Sequence, residues 1–337
     1  MELTLEQIRS ITCGAISVEQ EEDGIHFYRF TKEQAAVYEE RAENLRKKIP
    51  APSGIKLCFE TDSENLFVRG DFQRTAARSY YSLDVKVNGQ VIGSIDNFSE
   101  LEVPPLYTDV KFELGQCEKN FELGKGTKAV TVYLPWNKIL VLQSFCLDDG
   151  SYIKPIKPSK KLLAFGDSIT QGFDAMRNYN RQIGRIAEML DAEEFSRAVG
   201  GERFVPDLLD APDDFQPDYI FVAYGTNDFS GLTPEKFTEN CNAFFQKLEM
   251  RYPNAKVFVI TPIWRADMEP PRRFSSFYDI DKGIRAATAN MKNMTLVDGI
   301  DLVPHDTKYF ADGRLHPNDA GFEYYFQNLW SAVQKAL

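Results

Sequence analysis

An apolar run that stops abruptly at Gly-Asp-Ser constrains the fold of this chain more than any other feature. Residues 162–165 are apolar, Gly166-Asp167-Ser168 follows at once, and a second glycine stands at position 172. Such a run, bounded by turn residues, is typical of a buried strand that delivers a serine into a tight turn. In open α/β sheets, ligands bind just outside the carboxyl ends of the strands. The sequence therefore predicts Ser168 at a ligand-binding sheet edge.

The chain beyond this run alternates strands and helices. Buried strands are predicted at residues 161–165, 194–199, 218–224, 256–261 and, more weakly, 295–298. Between them lie amphipathic stretches, and Thr233-Pro234 is a good start for the one that follows it. This alternation predicts an α/β fold with a flavodoxin-like parallel sheet and helices on both faces.

The chain before the run is dominated by short β-like segments. Residues 82–87 and 91–95 flank Asn88-Gly89, the strongest short hairpin signal. Many short strands separated by turns predict an N-terminal β-sandwich or jelly-roll domain. Further strands are predicted at 55–60, 65–70, 129–134 and 139–143, whereas residues 31–48 have helical spacing.

A linker is predicted between these two regions. Residues 152–161 contain two prolines and four lysines, which favours an exposed, extended connection. A chain of 337 residues also exceeds the usual size of one core. We therefore predict a β-sandwich domain at residues 1–157 and an α/β domain at residues 158–337.

Charge and cysteine content restrict the classes of partner. The formal net charge of −11 disfavours nucleic acid and anionic membranes as partners. The N-terminus lacks the pattern of a secretory signal, and the five scattered cysteines lack metal or redox spacing. These features predict a cytoplasmic protein with free thiols, no metal and no cofactor. Homo-oligomers are compatible with the sequence.

Three later blocks carry residues that suit chemistry at Ser168. They are Gly200-Gly201, residues 225–228 with Asn227, and residues 312–319 with His316. An imidazole can accept the serine proton, and an amide can bind an oxyanion without needing a proton of its own. Asp312, four residues before His316, is the carboxylate expected to fix the imidazole tautomer.

These four blocks, in this order, resemble those of the SGNH (GDSL-type) serine hydrolases. The resemblance covers roughly residues 160–337. It implies that Ser168 is the nucleophile and His316 the base, and that Asn227 and the N–H groups of Ser168 and Gly201 form the oxyanion hole. Gly200 is the alternative to Gly201.

One spacing departs from the pattern of the family. The family has Asp-x-x-His, whereas Asp312 and His316 are separated by one residue more. Either the loop bulges, or the acid is weak, absent or supplied from elsewhere in the chain. Asp298 and Asp306 are then the candidates.

The resemblance also suggests a substrate class. A β-sandwich ahead of such a domain is similar to the layout of some bacterial carbohydrate esterases that deacetylate sugars. We therefore expect hydrolysis of small acyl esters on a saccharide, so that the partner is a small-molecule or oligosaccharide ester. Trp264 and Arg265 are expected to line the substrate pocket, although plain packing would also explain Trp264. The alternatives are a thioesterase or lysophospholipase, and a saccharide-binding protein with a degenerate site.

Overall fold

The computed structural model of the protein describes residues 1–211, 215–269 and 271–337 and arranges their strands in three β-sheets. Two sheets are antiparallel and occupy the N-terminal half of the chain, and the third is parallel. The antiparallel strands are β1 (Thr12–Cys13), β2 (Ser17–Gln20), β3 (Ile25–Tyr28), β4 (Lys56–Thr61), β5 (Asn65–Gln73), β6 (Ser82–Val87), β7 (Gln90–Asp96), β8 (Gly115–Glu122), β9 (Lys128–Tyr133), β10 (Ile139–Leu147) and β11 (Ile153–Pro155).

The two antiparallel sheets pack over one shared core. One sheet has the order β1-β4-β9-β6-β7, with β11 on β4, and the other has the order β2-β3-β10-β5-β8. Leu57 and Val132 of the first sheet lie in the same buried cluster as Val68 and Leu140 of the second. Residues that alternate along each strand thus supply a common interior, as expected for sheets with one solvated face.

Two features of this half were predicted with different success. β6 and β7 pair as the expected hairpin, and Asn88 and Gly89 both have positive φ, as the tight turn requires. The predicted linker at 152–161 is wrong in part, because β11 pairs with β4. Its proline is tolerated because β11 lies at the margin of the sheet.

The parallel sheet has the order β13-β12-β14-β15-β16. This second-first-third-fourth-fifth order is the flavodoxin-like one, and the predicted parallel sheet is confirmed. All five predicted strands are present within a few residues of their predicted bounds. They are β12 (Lys160–Gly166), β13 (Ala192–Ser196), β14 (Tyr219–Ala223), β15 (Lys256–Ile260) and β16 (Met294–Val297).

Helices cover both faces of the parallel sheet. Alternate residues of β12 enter opposite cores, with Leu163 in the same buried cluster as Ile280 of one face and Leu162 in the same cluster as Phe322 of the other. None of the helices that the structure describes is long and apolar enough to cross a bilayer. The helices are α1 (Leu5–Ile11), α2 (Lys32–Glu39), α3 (Glu43–Arg46), α4 (Ser168–Gln171), α5 (Gln182–Met189), α6 (Thr226–Gly231), α7 (Pro234–Arg251), α8 (Tyr278–Thr288) and α9 (Asp319–Ala336).

The helix predicted at residues 31–48 is broken into α2 and α3. Ala42, between them, has extended backbone. The break lets Arg41 reach Glu202 at 2.5 Å and Lys48 reach the Gly200 carbonyl at 2.7 Å. These contacts with the C-terminal half outweigh the helical propensity of the segment.

An aromatic cluster joins the two halves. Tyr80, Tyr107 and Trp136 of the N-terminal half pack in one buried cluster with Phe173 and Ala311 of the C-terminal half. Phe173 follows the turn that bears Ser168, and Ala311 precedes Asp312. The cluster therefore packs against the two segments that carry Ser168 and Asp312.

Candidate active site

Ser168 is the first residue of α4, directly after β12. Asp167 caps this short helix by accepting a hydrogen bond from the Ile169 amide at 2.9 Å. Gly166 is required here because a Cβ would lie 2.2 Å from Thr170 Oγ1. Gly172 ends the helix with a φ of 112°, which favours glycine. The turn thus presents Ser168 at the carboxyl edge of the parallel sheet.

Buried polar contacts brace this turn from below. Arg181 donates to the Gln171 carbonyl at 2.9 Å and pairs with Glu194 at 2.7 Å. The N-terminal half contributes Ser53, whose hydroxyl donates to the same carbonyl at 2.6 Å. Both members of the Arg181–Glu194 pair are almost fully buried, so loss of either would leave an unpaired charge in the interior.

His316 connects Ser168 to a carboxylate. Its Nε2 lies 2.9 Å from Ser168 Oγ, and its Nδ1 lies 2.8 Å from Asp312 Oδ2. The structure therefore brings together the three side chains that the sequence singled out. The order hydroxyl, imidazole, carboxylate can activate the hydroxyl as a nucleophile.

The extra residue between Asp312 and His316 is accommodated by a local turn. Gly313 adopts a φ of 66°, and the other Asp312 oxygen, Oδ1, accepts the amides of Arg314, Leu315 and His316 at 2.9, 2.7 and 3.1 Å. The Ala311 amide closes the loop on the His316 carbonyl at 2.8 Å. The loop bulges around the carboxylate, and the imidazole still reaches it.

The environment of Asp312 holds its charge. Burial by itself would raise the pKa of this carboxyl. The hydrogen bond from His316 and the amides of Leu315 and His316 outweigh burial, so the pKa lies well below its ordinary value. Asp298 and Asp306 are occupied elsewhere, by Arg285 and Lys308.

Two further blocks supply hydrogen-bond donors near the same edge. Asn227 follows Gly225, whose φ of 121° turns the chain, and its side-chain amide donates to the Glu202 carbonyl at 3.0 Å. The Gly200 amide donates to Gln171 Oε1 at 2.7 Å and is not free for a ligand. In the part of the chain that the structure describes, the Gly201 amide has no protein acceptor. The geometry favours Gly201 over Gly200.

A second carboxylate, missed in the sequence, stands beside His316. Asp174 is fully buried, and its Oδ2 lies 3.5 Å from His316 Nδ1. The guanidinium of Arg78, in the N-terminal half, donates two hydrogen bonds to the Asp174 carboxylate, at 2.7 and 2.8 Å. The Tyr80 hydroxyl donates to Asp174 Oδ1 at 2.6 Å, and the Tyr107 hydroxyl donates to its carbonyl at 2.7 Å.

Little in the sequence could have found this arrangement. Asp174 lies outside the four blocks, and Arg78 and Tyr80 lie 96 and 94 positions away along the chain, between β5 and β6. The only local sign is structural, since Asp174 has a φ of 74°, which is uncommon for a residue other than glycine. The N-terminal half therefore reaches the site through contacts that no spacing rule indicates.

The two residues predicted to line the substrate pocket have different surroundings. Trp264 is partly buried and stacks on His305, with ring centres 5.4 Å apart. Arg265 is only 2% exposed, and its guanidinium donates to Thr226 and Asp267. These hydrogen bonds hold the turn after β15 against α6. A substrate-binding role for Arg265 stays a prediction.

Two clusters of metal-type ligand atoms occur among the described residues. Asp174, Asp312 and His316 form one, and Glu21, Asp23 and His26 form the other. In the first, the ligand atoms are already engaged by His316–Asp312 and Arg78–Asp174 contacts. In the second, a surface hairpin pairs His26 with Asp23 at 2.8 Å. Both clusters are accounted for by hydrogen bonds.

Asp228, next to Asn227, gives a prediction on stability. Burial raises the pKa of Asp228 to about 7, although the Phe204 amide donates to it. The unfolded value is about 3.9, so folding takes up a proton between these pH values. Stability contributed by the neutral carboxyl is lost as pH rises from about 4 to about 7. We expect Asp228→Asn, which stays neutral, to raise Tm by a few degrees at pH 8 and by almost nothing at pH 4.

Thermal unfolding of both proteins at the two pH values measures this effect. Glu122→Gln, an acid-to-amide change at an exposed site, is the matched control and should leave Tm unchanged at both. Equal Tm values for wild type and Asp228→Asn at pH 8 would contradict a buried carboxyl with a raised pKa.

Residues 164–324 match the model of the GDSL-like lipase/acylhydrolase family. The matched region contains the Ser168 turn, both donor blocks and the Asp312–His316 loop. None of the curated proteins shows a significant sequence match to the chain.

Several solved structures share the fold over nearly their whole length. A salicylyl-acyltransferase from a tetracycline biosynthetic pathway superposes with a TM-score of 0.77 at 18% identity, covering 96% of this chain and 94% of its own. A protein described as a GDSL-like lipase from Bacteroides ovatus gives 0.76 at 18% identity, covering 99% and 97%. An acetyl xylan esterase from the rumen bacterium Butyrivibrio proteoclasticus gives 0.63 at 14% identity, covering 100% and 98%. At these identities the likeness shows the fold alone.

Proposed function

Because residues 164–324 of this ester hydrolase belong to the GDSL-like lipase/acylhydrolase family, we propose that the protein is a serine esterase that removes small acyl groups, chiefly acetyl, from a saccharide. One observation carries the catalytic part of the proposal. His316 lies within hydrogen-bond distance of both Ser168 and Asp312. This arrangement fits nucleophilic acyl transfer directly.

The proposed reaction has two steps. His316 Nε2 takes the proton of Ser168 as the hydroxyl oxygen attacks the ester carbonyl, and Asp312 stabilises the imidazolium. The protonated imidazole then gives this proton to the leaving alcohol, and the C–O bond of the ester breaks. In the second step, His316 deprotonates water, which attacks the acyl-enzyme and releases the carboxylic acid and free Ser168.

The oxyanion of each tetrahedral intermediate needs donors fixed beforehand. We assign this role to the amides of Ser168 and Gly201 and to the side chain of Asn227. The bond from Asn227 to the Glu202 carbonyl uses one of the two N–H groups of its amide and fixes its orientation. The second N–H is then available for the oxyanion.

Removing the Asn227 amide tests the assignment. We expect Asn227→Ala to lower kcat by about 10²–10³-fold with little change in KM, since the donor acts mainly on the transition state. Steady-state kinetics on an aryl acetate measure both constants. Asn240→Ala, at a partly buried asparagine of α7 that donates to the Phe204 carbonyl, serves as control. An Asn227 variant with wild-type kcat would remove the residue from the oxyanion hole.

Support for a small polar substrate comes from the surroundings of the triad. The N-terminal half crowds the site, with Arg78, Tyr80 and Tyr107 contacting Asp174. Leu106 extends to 3.5 Å from the position that a Cβ of Gly313 would take. Two of the structural neighbours are an acetyl xylan esterase and a family two carbohydrate esterase bound to cellohexaose. We therefore place a saccharide acetyl ester first among substrates.

A second candidate is acyl transfer to an acceptor other than water. One of the structural neighbours, a salicylyl-acyltransferase, motivates this candidate. The same acyl-enzyme would serve both reactions, because only the second nucleophile differs. A substrate panel separates the candidates.

In this panel, wild-type protein is given acetylated xylo-oligosaccharides, 4-nitrophenyl acetate and 4-nitrophenyl octanoate, each with and without a free sugar acceptor. Deacetylation that exceeds octanoate turnover supports the proposal. Faster octanoate turnover would favour the lysophospholipase or thioesterase alternative, and an acylated acceptor would favour the transferase.

The domain boundary, cellular location and oligomeric state of the enzyme are proposed as well. We place the boundary between a jelly-roll-like domain and the catalytic domain at residues 157/158, between β11 and β12. We also keep a cytoplasmic location and a possible homo-oligomer as predictions. Trp264 stays a candidate for the wall of the substrate pocket.

A further inference from the structure

A cavity of about 350 Å³ lies on the N-terminal half, next to the site. Its wall includes Arg74, Arg78, Lys111 and Lys138, together with a single acidic residue, Asp109. This volume is within the range of ordinary small-molecule pockets. A cavity with four cationic side chains and one acidic one is unusual in a chain of net charge −11.

Three of the cations have no carboxylate partner in the portion of the chain that the structure describes. Arg74 and Lys111 are exposed, and no ion pair involves them. Lys138 is only 1% exposed, and its ammonium donates to the backbone carbonyls of Arg78 and Asn137. Burial, and then the charge of Arg74, lower the pKa of Lys138 to about 8. A buried ammonium facing like charge is costly unless an anion compensates it.

Two residues that line the cavity also lie against residues of the candidate active site. Phe173 lines the cavity, and its ring centre lies 5.7 Å from that of His316. Arg78 lines it as well and binds Asp174, which is 3.5 Å from His316 Nδ1. An ester that reacts at Ser168 could therefore place another part of the same molecule against these cations.

We propose that this cavity binds a negatively charged group of the substrate, so that the enzyme prefers esters of acidic saccharides or other anionic alcohols. This inference rests on the proposed esterase function and adds the substrate class. Arg74 and Lys111 supply charge at the mouth, and Lys138 supplies it at the base. A carboxylate, sulfate or phosphate would satisfy all three.

A matched pair of substrates tests the preference. 4-Acetoxybenzoate and its methyl ester have the same acetyl group and scaffold and differ by one negative charge. In the double variant Arg74→Ala/Lys111→Ala, we expect the ratio of kcat/KM for the anionic over the neutral ester to fall about tenfold relative to wild type, mainly through KM. Lys125→Ala/Lys292→Ala removes two exposed charges elsewhere and should leave the ratio unchanged.

Binding without turnover gives a second readout. Calorimetric titration of 4-acetoxybenzoate into the Ser168→Ala protein should show binding that weakens about tenfold when Arg74 and Lys111 are also replaced. 4-Acetoxybenzenesulfonate and 4-acetoxyphenyl phosphate, titrated in parallel, distinguish which anion the cavity prefers. Equal binding with and without the two cations would overturn the inference.

The outcomes separate this inference from the function on which it rests. If wild type hydrolyses neither ester, the esterase proposal fails, and the titration still decides whether the cavity binds anions. If wild type hydrolyses both esters and the double variant keeps the wild-type ratio, the esterase proposal stands and the anionic preference is wrong.

Discussion

Ser168→Ala is expected to lower the hydrolysis of acetyl esters by about 10⁴-fold or more, because the acyl-enzyme cannot form without the hydroxyl. A small residual rate should survive, since the oxyanion donors and the binding surface remain. The fold should be unchanged, because the Ser168 hydroxyl has His316 Nε2 as its side-chain partner, at the edge of the sheet. Release of acetate, followed continuously, measures the loss.

Two further measurements make this result specific. Ser10→Ala, at an exposed serine of α1, should keep the wild-type rate. A fluorophosphonate should add one adduct to wild type, seen by intact mass, and none to Ser168→Ala. Wild-type protein that forms no adduct yet binds saccharide would instead support the degenerate binding protein. An unchanged rate in Ser168→Ala would end the proposal.

The parallel sheet was predictable because its signals are local. Each strand is a short apolar run bounded by turn residues, and the strands are buried on both faces, so periodicity and composition agree. The residues of the site were found for a related reason. Ser168, Asn227 and His316 each stand in a turn at a strand end or a helix start, where the sequence around them is distinctive.

What the sequence did not reveal depends on contacts between distant segments. Residues 31–48 have helical spacing, but contacts of Arg41 and Lys48 with the C-terminal half break the helix. The hydrogen bonds from the Arg265 guanidinium to Thr226 and Asp267 were not predicted either. Asp174 is in none of the recognisable blocks. Propensity and spacing describe neighbours along the chain, whereas these roles are set by neighbours in space.

Two carboxylates face His316 Nδ1, and their different surroundings predict different roles. Asp312 lies 2.8 Å from Nδ1, and its other oxygen is fixed by three backbone amides. Asp174 lies 3.5 Å away, and both of its oxygens are already bonded to Arg78 or Tyr80. The geometry assigns the imidazole to Asp312, while Asp174 mainly anchors the N-terminal half.

Asp312→Asn is therefore expected to lower kcat by about 10⁴-fold with Tm almost retained. The new amide can donate to Nδ1 and so leave a proton on Nε2, which then cannot accept the Ser168 proton. Asp174→Asn should show the opposite balance, a Tm lower by several degrees and a loss of kcat of about tenfold, because it weakens the buried contact with Arg78. Kinetics and thermal unfolding of both variants give the comparison. A different result is informative too: Asp174→Asn could be the less active variant, with Asp312→Asn still active. Asp174 would then be the carboxylate that orients the base. The loop with the extra residue before His316 would no longer supply that carboxylate.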